Sequence, residues 1–497
     1  MNIKSKTSIA IILAMISSVF TGCSFAGMSD SDLLQPPKAT GTEAAIQSLL
    51  EKTTNGDYKL SYPQSGDYRS GIIMQDIDGD YKEEAIALYK TSKDTSNINI
   101  MFMKEIGGNW EAIGTSTNAN SDVDRLYFDD VDNDGKNEVI VGWSSYLTGG
   151  NQITMYEYTG NNTVTDVFVN SDTRYIDMVL MDITNEGVPD LVVLTTSVNE
   201  KTNETTTTAR LYSNCANGKF SKVSEIKTNP NIISYSQILQ GNISEDVNGL
   251  FMDGNTANAN ELITEVLYYS EEKKILVNPL DYTKTSGDVE NITVRRISTV
   301  CKDINNDNII EVPSPYTPTI DTNELVPCPI IKWYKINNED DTVHEAQQTV
   351  ASYSDGFYFV LPDSWKGNIV ASNDNTTRTT SFYEIVDEVG TDEVSTEPTT
   401  EKSTEKATVP EISTEPSDES TVSLSETVAK IGSEPVLVLK VYTDKSWKNE
   451  SETRLAEGYV VIKEESGFVY TCKLGKAVDS NINLSTDQVK NNFYLIK

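Results

Sequence analysis

The sequence is poor in histidine and in positive charge. Its 497 residues contain one histidine and 40 lysines and arginines, against 75 aspartates and glutamates, for a formal net charge of −35. The single histidine, His344, excludes a histidine-rich zinc site. The acidic balance argues against nucleic acids and anionic membrane surfaces as partners. Catalysis by paired carboxylates needs no histidine, so an enzyme of that type remains open.

Cysteine is the next scarcity, with five residues in the chain. Their spacing matches no metal-binding motif. Two of them, Cys301 and Cys328, either form a disulfide in an oxidising compartment or stay as buried free thiols.

The first 23 residues have the three-part pattern of a targeting segment. Lys4 and Lys6 form a basic start, and the apolar stretch 9–20 is too short for a typical membrane-spanning helix. Residues 20–23, Phe-Thr-Gly-Cys, resemble a bacterial lipobox, which implies that Cys23 is lipidated. The resemblance predicts a lipoprotein at the extracytoplasmic face of the cell membrane, with ordinary secretory cleavage as the alternative. Residues 24–57 are expected to form a tether and a short helix.

Acidic residues, in contrast, are abundant and occupy alternate positions of short loops. In one loop, carboxylates stand at positions 1, 3, 5 and 9, as Asp130, Asp132, Asp134 and Glu138. Carboxylates crowded in this way repel each other unless a cation lies among them. Ca²⁺ takes hard oxygen ligands, so we predict a calcium site, with Lys136 contributing its backbone carbonyl.

This loop is not an EF-hand. Position 12 is Val141 where an EF-hand has a glutamate, and the apolar flanks 126–128 and 139–141 have the character of strands rather than helices.

The loop recurs along the chain. Further predicted ligands are Asp76, Asp78, Asp80, Lys82 and Glu84 in the first loop (76–84), Asp182, Thr184, Glu186 and Asp190 in the third loop (182–190), and Asp303, Asn305, Asp307 and Glu311 in the fifth loop (303–311). The loop at 130–138 is the second. A degenerate fourth copy, Asn242, Ser244 and Asp246, has Leu250 in place of the closing acid, so we expect no metal there. The loops start about every 52 to 61 residues, a period typical of a repeat architecture.

Each repeat contains four short stretches of strand character separated by turn residues. In the second repeat these stretches are 125–129, 137–145, 152–158 and 163–169. Four antiparallel strands per repeat suit a β-propeller blade. We predict an all-β fold in which about five such blades form a propeller over residues 58–352. Residues 58–62 are expected to supply a strand that closes the ring.

The acidic pattern between strands resembles FG-GAP/VCBS-type repeats, which are related to the calcium loops of the integrin alpha-chain propeller. The resemblance extends over about 290 residues and implies a β-propeller with structural Ca²⁺. Two departures concern position 6, where Tyr81 and Asn308 replace the usual glycine. Two others, Pro313 and Pro315, should disturb the second strand of the fifth repeat.

The rest of the chain is predicted to form a small C-terminal α+β domain with an insertion. Residues 391–425 are rich in Ser, Thr, Glu and Pro and should be disordered. Residues 353–390 and 426–497 are expected to fold together, because neither half alone has a convincing core. Two separate small domains are the alternative. A last helix should be capped by Ser485 and Gln488.

Three classes of function fit these features. We favour a lipid-anchored, calcium-stabilised propeller at the cell surface that binds or scaffolds a protein or glycan ligand. It would touch the membrane only through its lipid and would not bind nucleic acid. The alternatives are a propeller glycoside hydrolase or lyase that uses paired carboxylates, and a subunit of an envelope sensing or assembly complex. The loop acids are explained by metal binding, so we predict no catalytic residues and no enzymatic activity.

Lipidation predicts that Cys23→Ala releases the full-length protein from the membrane fraction, because the thiol is the point of attachment. The variant should also lose labelling by a palmitate analogue, while the control Cys215→Ala should keep it. Equal labelling and equal membrane association of Cys23→Ala and wild type would contradict the assignment.

Overall fold

The computed structural model describes residues 41–120, 122–144, 151–198, 201–202, 205–216, 219–280, 292–322, 325–389 and 428–496. The predicted targeting segment, Cys23, most of the tether and the insert 391–425 lie outside the described residues. The chain divides into two compact units, one ending at Ser171 and the other starting at Asp172. Within the described ranges, no helix combines the length and the apolar character needed to cross a membrane.

The first unit starts with a helix and a five-stranded antiparallel sheet. The elements are α1 (Thr42–Thr54), β1 (Lys59–Leu60), β2 (Ile72–Gln75), β3 (Glu84–Thr91), β4 (Asp94–Ile106) and β5 (Asn109–Asn118). Strands β1 and β2 both pair with β3, at Leu60–Tyr89 and at Ile72–Ala87. Residues 59–60 therefore belong to the first sheet, in contrast to their expected role in closing the ring. They cover the half of β3 that the short β2 leaves unpaired.

A second set of strands completes this unit. It contains β6 (Asp122–Asp129), β7 (Glu138–Ser144), β8 (Asn151–Gly160) and the start of β9 (Thr163–Met181). These bounds match the four stretches predicted for the second repeat, except that β9 continues into the first strand of the third repeat. Apolar side chains from both sets, including Ile86, Phe102 and Trp143, form one core.

The second unit continues in the same antiparallel manner. From the end of β9 follow β10 (Asp190–Val198), β11 (Thr205–Ala216) and β12 (Lys219–Thr228), then a sheet of β13 (Ile232–Ser244), β14 (Val247–Thr256), β15 (Leu262–Ser270) and β16 (Ile275–Val277). The next sheet contains β17 (Val312–Tyr316), β18 (Ile330–Asn337), β19 (Thr342–Ser352) and β20 (Phe357–Val360). Pro313 and Pro315 lie in β17, the first strand in the order of this sheet, where a residue without an N–H is tolerated.

The last sheet combines strands from both sides of the undescribed residues 390–427. Its strands are β21 (Ile369–Asp374), β22 (Thr379–Val389), β23 (Val428–Ile431), β24 (Leu437–Thr443), β25 (Val460–Glu465) and β26 (Phe468–Leu474). The helices α2 (Asp444–Ala456) and α3 (Thr486–Asn491) accompany it. Strand β22 pairs with both β23 and β24. The Ser485–Gln488 capping box is present at α3, which confirms that prediction.

The boundary expected at residue 352 does not separate two sheets. After a turn in which Gly356 has a φ of 69°, β20 pairs with β19 in the sheet of the fifth repeat. A final strand, β27 (Phe493–Leu495), then pairs with β20. One core joins Val350 of the fifth repeat with Phe382 of the last sheet and Phe493 of β27. The two sheets therefore share one apolar interior.

Three of the described cysteines, Cys301, Cys328 and Cys472, are free thiols. Of the two alternatives for Cys301 and Cys328, the structure therefore shows the unpaired form.

Candidate metal centre

The four acidic loops share one backbone frame, which is tied at its start by position 1. Both carboxylate oxygens of Asp130 accept backbone N–H groups, from Asp134 at 3.0 Å and from Gly135 at 2.9 Å. Asp182 and Asp303 make the same pair of bonds to positions 5 and 6. Asp76 instead accepts from positions 4 and 6, the backbone N–H groups of Gly79 and Tyr81. The first carboxylate therefore organises the loop through its own hydrogen bonds.

Position 9 ties the frame at its other end. Oε2 of Glu138 accepts the backbone N–H of Val131, at position 2, at 3.0 Å. The same bond joins Glu84 to Ile77, Asp190 to Ile183 and Glu311 to Ile304. All four residues at position 2 are buried and apolar. Sequence reasoning missed this position, although an apolar residue between two polar ones is visible in every loop.

Positions 4 and 6 have left-handed backbone in every one of these loops. The residues are Gly79, Asn133, Asn185 and Asn306 at position 4, and Tyr81, Gly135, Gly187 and Asn308 at position 6. Glycine and asparagine adopt this conformation at little cost, and tyrosine does not. Tyr81 has a φ of 65° and a side chain that is 98 % exposed, so no packing offsets the strain.

In the first loop, a lysine lies among the carboxylates. Nζ of Lys104, on β4, is 2.9 Å from both Asp80 Oδ2 and Glu84 Oε1, and it also bonds Asp78. Burial alone would lower the pKa of Lys104, but the hydrogen bonds to these three carboxylates raise the pKa above its ordinary value.

The second loop brings together carboxylates without such a lysine at their centre. Oxygens of Asp130, Asp132 and Glu138 lie within 4.8 Å of one another. Glu138 is 0 % exposed, and its Oε1, like Oδ1 of Asp132, is buried with no hydrogen-bond partner among the described residues. Burial and the charges of the nearby aspartates, against the opposing hydrogen bond from Val131, together raise the pKa of Glu138 to about 8. Converging hard oxygens of this kind fit Ca²⁺.

Around that centre, the remaining predicted ligands of the first two loops lie nearer the surface. The side chain of Lys136 bonds Asp134, and its backbone N–H donates to Asp134 Oδ1 at 2.9 Å. In the first loop, the backbone N–H of Lys82 donates to Asp80 in the same way.

Hydroxyl groups stabilise the acid of the third loop. Oδ2 of Asp190 accepts the backbone N–H of Thr184 at 3.0 Å and its hydroxyl at 2.9 Å. Burial raises the pKa of Asp190, while a hydrogen bond from Ser213 and those from Thr184 lower it. The predicted ligand Glu186 is exposed, and its backbone N–H donates to Asp182.

The fifth loop again contains a lysine from a neighbouring strand. Nζ of Lys335, on β18, bonds Asp307 and lies 3.6 Å from Glu311 Oε1. Burial raises the pKa of Glu311 to about 7 against the effect of Lys335 and of a backbone hydrogen bond. The side-chain amide of Asn305 donates a hydrogen bond to Asp307 at 3.0 Å, so this side chain already has a partner within the loop.

The fourth copy is a tight hairpin instead of a nine-residue loop. Asn242 pairs with Asn248, and Ser244 pairs with Val247. The Nδ2 of Asn248 donates to the carbonyl of Asp182, as Asn137 Nδ2 does to that of Asp76. This equivalence aligns Gly249 with the closing acid and corrects the expected alignment of Leu250 by one residue.

Comparisons with known proteins agree with the acidic pattern. A family model described as FG-GAP-like repeat matches residues 130–193, which include the second and third loops. A search of curated proteins finds no significant match.

Similar solved structures include a hypothetical selenium-binding protein from Sulfolobus tokodaii, at 10 % identity and a TM-score of 0.28 over 43 % of this chain and 56 % of that one. The rhamnogalacturonan lyase YesW has 11 % identity and a TM-score of 0.26 over 56 % and 66 % of the two chains. The Dos1 propeller has 10 % identity and a TM-score of 0.29 over 60 % and 65 %. The matches span less than two thirds of each neighbour's own length. At these TM-scores they support no assignment of activity.

The strained position 6 of the first loop predicts that Tyr81→Gly stabilises the protein by roughly 1 kcal/mol, because relief of left-handed strain exceeds the entropy that glycine adds to the unfolded chain. The midpoint of urea unfolding measures the change. Tyr62→Gly is the matched control, since Tyr62 is also exposed but has no left-handed backbone. If Tyr81→Gly lowers the stability as much as Tyr62→Gly does, the left-handed backbone at Tyr81 is not strained.

Proposed function

We propose that this protein is a cell-surface, lipid-anchored β-propeller of about five blades that is stabilised by calcium and binds a protein or glycan ligand. The observation that carries the proposal is the second loop. There Asp132 and Glu138 bury carboxylate oxygens that have no hydrogen-bond partner in the described part of the chain and lie beside further acids. A buried charge of this kind requires compensation. The FG-GAP-like match over the same loop supports Ca²⁺ as the ion.

The proposed role of the ion is structural. If bound, it would be held by the carboxylates of the second loop, which are those of Asp130, Asp132, Asp134 and Glu138. It would neutralise their charge between the end of β6 and the start of β7. The effect would extend to the first loop, because Asn137 Nδ2 donates to the carbonyl of Asp76 at 2.8 Å.

The two loops also touch directly. A Cβ atom added to Gly79 would lie 2.4 Å from the carbonyl oxygen of Gly135, so the first loop packs closely on the second. Ordering of one loop therefore supports the other.

The proposed ligand site is a cavity of about 620 Å³ in the second unit, next to the fifth loop. The rings of Tyr358 and Tyr494 stack there with centroids 5.2 Å apart and planes 9° apart. Tyr494 is 42 % exposed, and Lys302 Nζ lies 5.5 Å from the centre of the Tyr358 ring. Asp303 and Glu465 also line the cavity. An exposed aromatic face with polar groups around it suits the apolar face and hydroxyls of a sugar, or an aromatic side chain of a protein.

We propose binding without chemical turnover, because the loop carboxylates serve the loop itself, either by holding backbone N–H groups or, in the second loop, by holding the proposed ion. Those at positions 1 and 9 hold backbone N–H groups in all four loops, for example Asp130 with Gly135 and Glu138 with Val131. A carboxylate that holds the backbone or an ion in this way is not positioned to take a proton from a substrate.

Calcium stabilisation predicts that the full-length protein melts at a higher temperature with Ca²⁺ than with EGTA. At a free concentration of 100 Kd, binding to the native state alone adds about 2.7 kcal/mol. Asp132→Asn should lose this response, and Asp321→Asn, which alters an exposed acid away from the loops, should keep it. If wild type gives identical melting curves with Ca²⁺ and with EGTA, and elemental analysis finds no calcium, calcium stabilisation is wrong.

The ligand site predicts that Tyr494→Ala weakens binding roughly tenfold or more, because the exposed stacking face is lost. A glycan array and a pull-down from membrane extracts with the full-length protein identify a ligand, and titration compares the variants. Tyr62→Ala, in the first unit, is the control for loss of an exposed tyrosine. Unchanged binding by Tyr494→Ala would reject this cavity. Hydrolysis or elimination of a polysaccharide at catalytic rates would reject binding without turnover.

A further inference from the structure

We propose that Lys104 and Lys335 serve as built-in cations for the first and fifth loops, so that the chain binds one Ca²⁺ ion, in the second loop. This inference rests on the proposed calcium-stabilised fold and states which of the similar loops take part. Whether a loop takes an ion depends on one residue, which we call the deciding position. It lies on the next strand and faces the closing acid, the acidic residue at loop position 9.

The strand register identifies this residue in the two loops that contain a lysine. Ala85 pairs with Met103, so the adjacent residues, Glu84 and Lys104, face each other at the end of the ladder. In the fifth repeat, Val312 pairs with Tyr334, which places Lys335 opposite Glu311. The same geometry thus delivers a lysine to each of these two closing acids.

The equivalent residue is different in the other two loops. Val139 pairs with Tyr156, so Glu138 faces Glu157. In the third repeat, Leu191 pairs with Tyr212, and Asp190 faces Ser213. One structural position therefore holds lysine, glutamate, serine and lysine in the first, second, third and fifth loops.

Lys104 occupies the place where an ion would lie in the first loop. Its ammonium group bonds one oxygen each of Asp78, Asp80 and Glu84, and its side chain is only 12 % exposed. The ring of Tyr158 lies 5.8 Å from the ammonium on another side. An ammonium group has three N–H donors, and here they match three carboxylates. Ca²⁺ would need the same oxygens at about 2.3–2.6 Å, which excludes simultaneous binding.

Lys335 acts in the same way on a smaller set of groups. It bonds Asp307 and forms an ion pair at 3.6 Å with the buried Glu311 Oε1, which has no hydrogen bond among the described residues, while Asn305 supplies an amide to Asp307. The fifth loop also has one carboxylate fewer than the second, since Asn305 stands at position 3. Its charge is therefore easier to balance by one ammonium group.

The second loop has the opposite charge at the deciding position. Burial and the charges of Asp132 and Asp134 raise the pKa of Glu157, and Lys136 lowers it, so Glu157 lies near both the loop acids and that lysine. Lys136 bonds Asp134 and does not provide a partner for the buried oxygen of Glu138. An acid facing an acid, with a fully buried carboxylate oxygen unpartnered, calls for a cation from solution.

The third loop is balanced without any cation. Asp190 accepts from the backbone N–H groups of Ile183 and Thr184 and from the Thr184 hydroxyl, and Ser213 faces it in the ladder. We therefore assign no ion to it, and the expected stoichiometry of the chain is one.

The test exchanges the deciding residues in the full-length protein and counts calcium by calorimetric titration and elemental analysis. Wild type should bind one Ca²⁺. Glu157→Lys should bind none, and its melting temperature should not respond to EGTA, because the new ammonium group takes the place of the ion. Lys104→Glu should bind two ions and should melt at a temperature that depends strongly on Ca²⁺.

Two further variants are controls for misfolding and for nonspecific effects of charge. Lys104→Met removes the ammonium group without adding an acid and should also gain calcium-dependent melting. Lys227→Glu makes the same charge change at an exposed residue on β12 and should leave the stoichiometry at one.

The outcomes separate this inference from the proposed function. Wild type that binds two or more ions, Glu157→Lys that still binds one, or lysine variants that gain none would overturn the inference and leave calcium stabilisation in place. Wild type that binds no calcium would overturn both.

Discussion

The structure depends on balancing negative charge where strands end in acidic loops. Each loop places several carboxylates on nine residues, and a closing acid such as Glu138 or Glu311 is buried. Water cannot solvate an acid in that position, so the protein must supply hydrogen-bond donors, an ammonium group or an ion. The loops balance this charge with different residues on one backbone frame. These differences indicate which loop needs a metal ion.

Hydrogen bonds within the chain build the frame. Position 1 holds the N–H groups of the turn, position 9 holds the N–H of the buried apolar residue at position 2, and two left-handed residues direct the chain between them. An ion that enters such a loop meets oxygens that are already ordered, so little conformational entropy is lost on binding. The same frame explains how a loop can exchange an ion for a lysine and keep its shape.

The sequence predicted much of this, and the remainder depended on register. The strands of the second repeat, the loop positions and the cap at Ser485 follow from local patterns, and the structure has them. Local patterns do not predict that Lys104 faces Glu84, because the β3–β4 ladder shifts register between Tyr89 and Thr91. A slip of one residue would bring Met103 or Glu105 to that place. The alignment of Leu250 failed for the same reason, since a hairpin replaces the loop there.

The pairing of β27 with β20 has a consequence for biosynthesis. Phe493–Leu495 completes a sheet whose other strands lie between Val312 and Val360, so more than a hundred residues must be translated before that sheet has its last strand. Until then β20 presents an open hydrogen-bonding edge, and Phe357 is without the ring of Phe493 that stacks on it. A nascent chain, or one truncated before β27, therefore carries an incomplete sheet with an exposed edge strand, which is prone to pair with other chains. This sheet is complete once β27 has been translated.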